Sequence, residues 1–269
     1  VMNTIGNPFQ LAAVQVAEGN SLNPMLQNPS MMVHPVNLYL GYIGFAVPYA
    51  YAVAALLTGQ TGATWLKVTR RWTLVSWLFL GVGILYGSQW AYEELGWGGF
   101  WAWDPVENAA LLPWLTATAF LHSAIVQEKR GMLKGWNMVL IMVTFVLTIY
   151  GTFLTRSGLL FSVHAFANGP MGAFFLTFVG IIVIFSLAVL IWKWPLLKAE
   201  NEYEAVASKE SSFMINNLLL LGSAFTIFWG TMYPIVSELI TGEKMTVGAP
   251  FFNRVNIPIF IAVVLLMGI

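Results

Sequence analysis

The chain has 269 residues, 58% of them hydrophobic and 9% charged, against about 25% charged in a soluble globular domain. That balance excludes a soluble domain and describes a polytopic membrane protein in a lipid bilayer, and a formal net charge of zero argues against nucleic acid as a partner. Cysteine is absent, so disulfides, thiolate metal sites and cysteine nucleophiles are excluded.

In chain order, residues 1–36 are of mixed polarity, with Asn-Pro pairs at 7–8, 23–24 and 28–29, and read as an extramembrane segment with turns. No basic region followed by an apolar core marks a signal peptide. A crossing needs about 20 mostly apolar residues, and six such segments are readable at 37–57, 72–91, 108–127, 135–155, 172–192 and 213–235. A seventh begins near Ile257 and, at about 13 residues, is too short to cross. The expected fold class is all-α: a membrane bundle over 37–269, with six complete spans and a truncated seventh. Outer loops are expected at 92–107, 156–171 and 236–256. The chain reads as a piece of something longer.

Lys and Arg set the orientation. Lys67, Arg70, Arg71, Lys129, Arg130, Lys134, Lys193, Lys198 and Lys209 fall on one side, and Arg156, Lys244 and Arg254 on the other. Nine against three is a positive-inside bias, which turns the first 36 residues and the three outer loops outward. Glu200, Glu202 and Glu204 read as a solvated face.

The outer loop at 92–107 carries Trp97, Trp101 and Trp103 after and around Gly98 and Gly99. Indoles anchor at bilayer interfaces, but this density beside two glycines suits a platform for a large planar ligand, since glycine lets the backbone approach another surface. Asp104-Pro105-x-Glu107 reads as a helix start, with an N-cap, proline at the first position and an acid at the third.

Three histidines complete the inventory. His34 lies at the outer boundary before Pro35, His164 in the 156–171 loop, and His122 deep in the third span. Imidazole is an axial ligand of haem iron, and two outer histidines beside the tryptophans can grip one iron from both faces. Zinc would need Glu93, Glu94 or Asp104 to complete four ligands. An ionisable residue inside a span is a functional candidate, but His122 has no second intramembrane histidine here, so its partner lies elsewhere or it is not a haem ligand.

The stretch WGGFWAWDPVENAALLPWLTATAFLHS, 97–123, resembles the tryptophan-rich signature of the haem-handling proteins of cytochrome c maturation, and within them the CcmF-type haem lyase subunits. NPMLQNPSMMVHPVNLYLGYIGFAVPYA around His34, GTFLTRSGLLFSVHAFA around His164 and the stretch from Asn201 to Phe252 agree, so the resemblance covers essentially the whole chain. It implies that His34 and His164, with Trp97, Trp101, Trp103 and Asp104, hold haem delivered by a haem chaperone. It implies that His122, with a later histidine not in this chain, holds a haem b that assists reduction of the delivered haem. It further implies attachment of haem vinyl groups to the Cys-x-x-Cys-His thiols of apocytochrome c. Arg156 suits a haem propionate. Other membrane subunits of the maturation complex are implied partners. The implied location is a bacterial inner membrane with the tryptophan loop periplasmic; a mitochondrial inner membrane is the alternative. These residues alone are expected to be inactive.

Two other readings stand beside it. A transporter or channel suits Asn216, Asn217, Pro113 and Pro234 as marks of broken helices lining a cavity, although such a fold typically carries an internal repeat and none is found. A b-type electron-transfer subunit would need paired histidines within spans, and only His122 is placed there.

Overall fold

The computed structural model describes residues 9, 11, 17–19, 21–164, 171–198 and 209–267, with backbone alone over 209–211. The expected acidic face at Glu200, Glu202 and Glu204 lies outside them, as does the Asn-Pro pair at 7–8. The described elements are all helical: α1 (Ser30–Gly44), α2 (Ala46–Thr58), α3 (Ala63–Glu94), α4 (Pro105–Arg130), α5 (Lys134–Ser157), α6 (Met171–Lys193), α7 (Lys209–Thr241) and α8 (Ala249–Met267). Among the described residues seven helical stretches are long and apolar enough to cross a membrane, with α1 and α2 together forming the first.

All six complete spans expected from the sequence are present, each longer than its apolar run, α3 by 12 residues at 32 against 20. The two ends of the chain differ from expectation. The first helix starts at Ser30 rather than near 37, so His34 and Pro35 are helical rather than in a turn. Asn28 Oδ1 accepts from Ser30 N at 2.8 Å, which satisfies one of the orphan donors of the helix start. Pro35 lies inside that helix, in its second turn, where it forgoes the backbone bond to Met31 O and crowds that carbonyl. The seventh crossing helix begins at Ala249 rather than near Ile257 and has 19 residues, enough to span. Its early turns look like loop because Asn253, Arg254 and Asn256 are polar. Two of them are paired: Asn256, fully buried, donates to Phe252 O and accepts from Ser223 Oγ at 2.7 Å, and the exposed Asn253 accepts from Trp103 Nε1. The loop expected at 236–256 shrinks accordingly to 242–248.

Helices α4 and α5 form the centre of the bundle and α6 and α8 its most exposed flank, as their burial shows. Side chains of α4 and α5 hydrogen-bond across the seam. Thr144 donates to Thr116 at 2.8 Å, Ser123 pairs with Asn137, and Asn137 donates to Gln127 at 2.7 Å. Such bonds hold spans together where lipid removes the hydrophobic drive between them. Gly131, at φ 66°, closes α4 in the left-handed conformation that glycine adopts without penalty.

Candidate functional site

Helices α1 and α3 run antiparallel with their backbones in close contact. A Cβ on Gly41 would lie 2.6 Å from the backbone N of Leu80, and one on Gly83 would lie 2.7 Å from the backbone N of Leu38. Gly83 and Gly87 form a G-x-x-x-G pair, the small-residue spacing that lets membrane helices approach. One turn further on, the bare surface of Gly87 receives the imidazole of His34, whose Cε1 would be 2.7 Å from an added Cβ. His34 Nδ1 lies 2.7 Å from Gly83 O. A carbonyl oxygen only accepts, so the ring proton sits on Nδ1 and Nε2 keeps its lone pair.

The segment 21–29 ties this corner down. Trp90 Nε1 donates to Met25 O at 2.7 Å, and Asn28 Nδ2 donates to Glu93 and Glu94 at 2.8 and 3.0 Å. Glu93 and Glu94, two of the three carboxylates considered for zinc, therefore hold this segment in place. Among the described residues no cluster of three or more His, Cys, Asp or Glu side chains could hold a metal ion by itself.

Asp104 starts α4 as the expected capping box, accepting from Val106 N at 2.9 Å, while Glu107 Oε2 accepts from Asp104 N and Ala102 N at 3.3 Å. The same Oδ1 of Asp104 accepts from Ser162 Oγ at 2.8 Å and lies 3.1 Å from His164 Nδ1. A carboxylate accepts, so His164 also carries its proton on Nδ1 and leaves Nε2 open. Trp90 meets the His164 ring edge-on at 5.5 Å between centroids.

His34, Gly87, Ser88, Trp101, Glu107 and His164 line one cavity between the ends of α1, α3 and α4. The two outer histidines, 130 residues apart in sequence, are thus brought together. The tryptophans divide. Trp101 lines the cavity, with its Nε1 buried and unbonded. Trp103 turns away: it stacks on Phe252 of α8 at 5.1 Å and 13°, and donates to Asn253 at 2.7 Å. These contacts hold it at φ 60°, a conformation rare for a bulky residue. Trp97 is half-buried in the loop and outside the cavity lining. Arg156 is exposed in the last turn of α5 and does not line the cavity either.

His122 stands apart, on the face of α4 packed against α7. Its Nδ1 is 3.0 Å from Asn216 Nδ2, and Phe213 lies 5.7 Å away between ring centroids. Nε2 makes no hydrogen bond among the described residues.

Sequence reasoning missed Gly83, Gly87, Trp90 and the cavity-facing side of Glu107. The G-x-x-x-G spacing was a readable sign of helix contact; nothing local linked Trp90 to either histidine.

Comparison with known proteins places this geometry. The pattern of the family described as cytochrome c assembly protein matches residues 2–161. The cytochrome c-type biogenesis protein CcmF of Pseudomonas aeruginosa is 46% identical over 98% of this chain and 40% of its own length. CycK of Bradyrhizobium diazoefficiens is 48% identical over 94% of this chain and 38% of its own. A solved structure of cytochrome c heme lyase CcmF is similar with a TM-score of 0.73 and 42% identity, covering 90% of this chain and 36% of that one. The chain therefore spans about 40% of the length of the curated relatives it matches. With the family pattern covering more than half of its residues, the chain belongs to the cytochrome c assembly protein family, and its relatives there are the CcmF-type biogenesis proteins.

Proposed function

We propose that this chain receives haem on its outer face and holds it by His34 and His164 for thioether attachment to apocytochrome c, within the inner membrane of a bacterium. The observation that carries the reading is the paired tautomer. Both rings line one cavity, both give their Nδ1 proton to an oxygen of the protein, and both keep Nε2 for iron. Metal-binding histidines are oriented by just such partners on the other nitrogen. The unbonded Trp101 Nε1 offers a donor to a polar atom of the incoming group.

In this reading the chain fixes the iron and one flat face, and the apocytochrome brings the nucleophile. Each thiol adds S–H across a haem vinyl, sulfur bonding to one vinyl carbon and hydrogen to the other, with no net oxidation. Holding the reactants in place is the contribution of this site. The haem chaperone and the other membrane subunits of the maturation machinery are its partners.

His122 fits a second, intramembrane haem b. It is half-buried, its Nδ1 is engaged and its Nε2 is unbonded, and unsatisfied amides surround it. His122 would hold that group from this chain, and a second histidine, if one is used, would come from outside residues 1–269, because the other two histidines of this chain belong to the outer cavity. When bound, that group supplies an electron-carrying centre.

The test is haem capture by His34→Ala, His164→Ala and the double variant, read from the Soret band of purified protein and from cytochrome c maturation in cells. Each single change lowers both at least tenfold, and the double change costs little more, because one site is broken twice. Independent, multiplying losses, or unaltered capture in either single variant, overturn the reading.

A further inference from the structure

The contact between α4 and α7 holds polar groups that the bundle leaves unsatisfied. Asn216 Oδ1 and both amide atoms of Asn217 are buried without a hydrogen bond, Asn217 being 1% exposed. All three lie inside a helix long and apolar enough to span a membrane, where an unpaired polar group is costly. Both side chains face the same imidazole, Asn216 at 3.0 Å from His122 Nδ1 and Asn217 beside it.

The outer histidines show what is unusual here. At His34 and His164 the Nδ1 partner is an oxygen, which forces the open-Nε2 tautomer. At His122 the partner is a carboxamide, which presents either end. With its nitrogen toward the ring, the amide donates, Nδ1 accepts, and the ring proton moves to Nε2, where it blocks coordination. Turned over, the amide oxygen takes the Nδ1 proton, Nε2 regains its lone pair, and the ring becomes a better electron donor.

We infer that Asn216 is a positioning residue for His122, whose amide orientation sets the histidine tautomer and so decides whether Nε2 is free to bind iron. This rests on the reading of His122 as a haem ligand. The unpaired Asn216 Oδ1 is the acceptor in waiting, and Asn217 keeps a polar neighbourhood around the turning amide.

The protein is purified from its own membranes, with any chain that accompanies these residues retained. His34→Ala and His164→Ala are present to remove the outer haem. Haem content and the midpoint potential of the remaining haem b are then measured for Asn216→Asp and Asn216→Leu. A carboxylate at 216 only accepts, so Asn216→Asp retains haem and lowers the potential. Leucine offers no acceptor, so Asn216→Leu raises the potential and lowers occupancy severalfold. A purely structural asparagine would not move the potential in opposite directions, and the sign from either variant alone decides if the other does not accumulate. An unchanged potential in the variants overturns the inference. Undiminished haem b in His122→Ala overturns the ligand reading beneath it, and the two failures are thereby distinguished.

Discussion

At the scale of the residue, Asp104 carries more than its place in the sequence declares. One carboxylate oxygen caps α4 through Val106 N, anchors Ser162 and orients His164. The cap was legible, because an N-cap, a proline and an acid at fixed spacing are a local pattern. The link to His164 was not, since 60 residues separate the partners and nothing in either stretch refers to the other. The two roles separate by substitution. Asp104→Ala removes the cap, at a cost of about 0.5–2 kcal/mol, and frees the His164 ring. Asp104→Asn keeps a good cap and an acceptor for Nδ1–H but no charge. Thermal unfolding therefore shifts down for Asp104→Ala and stays near the parent for Asp104→Asn. Haem capture falls steeply in the first and only severalfold in the second. Equal loss of capture in both would show that the charge, and not the hydrogen bond, is what His164 requires.

At the scale of the element, the helices were readable, their ends were not, and of their contacts only the G-x-x-x-G spacing left a sign in the sequence. Apolar length reports a span, but α1 and α8 each begin several residues before their apolar runs, where Asn28, Asn253 and Asn256 find partners within the chain. Polarity alone cannot tell a solvated amide from a paired one. Contacts between helices are equally silent in composition. The α1–α3 approach depends on glycines, and Gly87 is where that approach meets function. A methyl group there would lie 2.7 and 2.8 Å from Cε1 and Nδ1 of His34, so the ring must move from its seat beside Gly83 O. Gly87→Ala is expected to lower haem capture at least fivefold while leaving the unfolding midpoint within a few degrees, since the methyl also stiffens the unfolded chain. Gly180→Ala in α6, away from the cavity, serves as the control, because nothing lies within 4 Å of its added methyl. Normal capture in Gly87→Ala would mean that the seat of His34 is looser than its packing indicates.

At the scale of the whole molecule, the site exists because an up-and-down bundle returns its ends to one side. The start of α1, the end of α3, the start of α4 and the segment after α5 meet at the cavity, and the start of α8 joins them through Trp103. The alternation was legible from span count and charge, which are bulk properties of the chain. The division of labour among the three tryptophans depends on the position of α8 and was not. The outward face of this end is a proposal resting on the nine-to-three distribution of basic residues, and the lack of native cysteine makes it directly measurable. Single cysteines are placed at exposed positions on both sides: Phe161 and Glu243 on the cavity side, Lys129 and Lys198 on the other. A membrane-impermeant thiol reagent added to spheroplasts labels Phe161→Cys and Glu243→Cys at once, and Lys129→Cys and Lys198→Cys only after the membrane is permeabilised. Four positions over-determine the result, because Lys129 and Phe161 are separated by α5, Phe161 and Lys198 by α6, and Lys198 and Glu243 by α7. If Phe161→Cys and Lys198→Cys react from the same side, α6 does not cross and the alternation breaks there. If all four react with the opposite sidedness, the bundle is inverted, and His34 and His164 face a compartment in which the proposed delivery of haem to an exported apocytochrome does not take place.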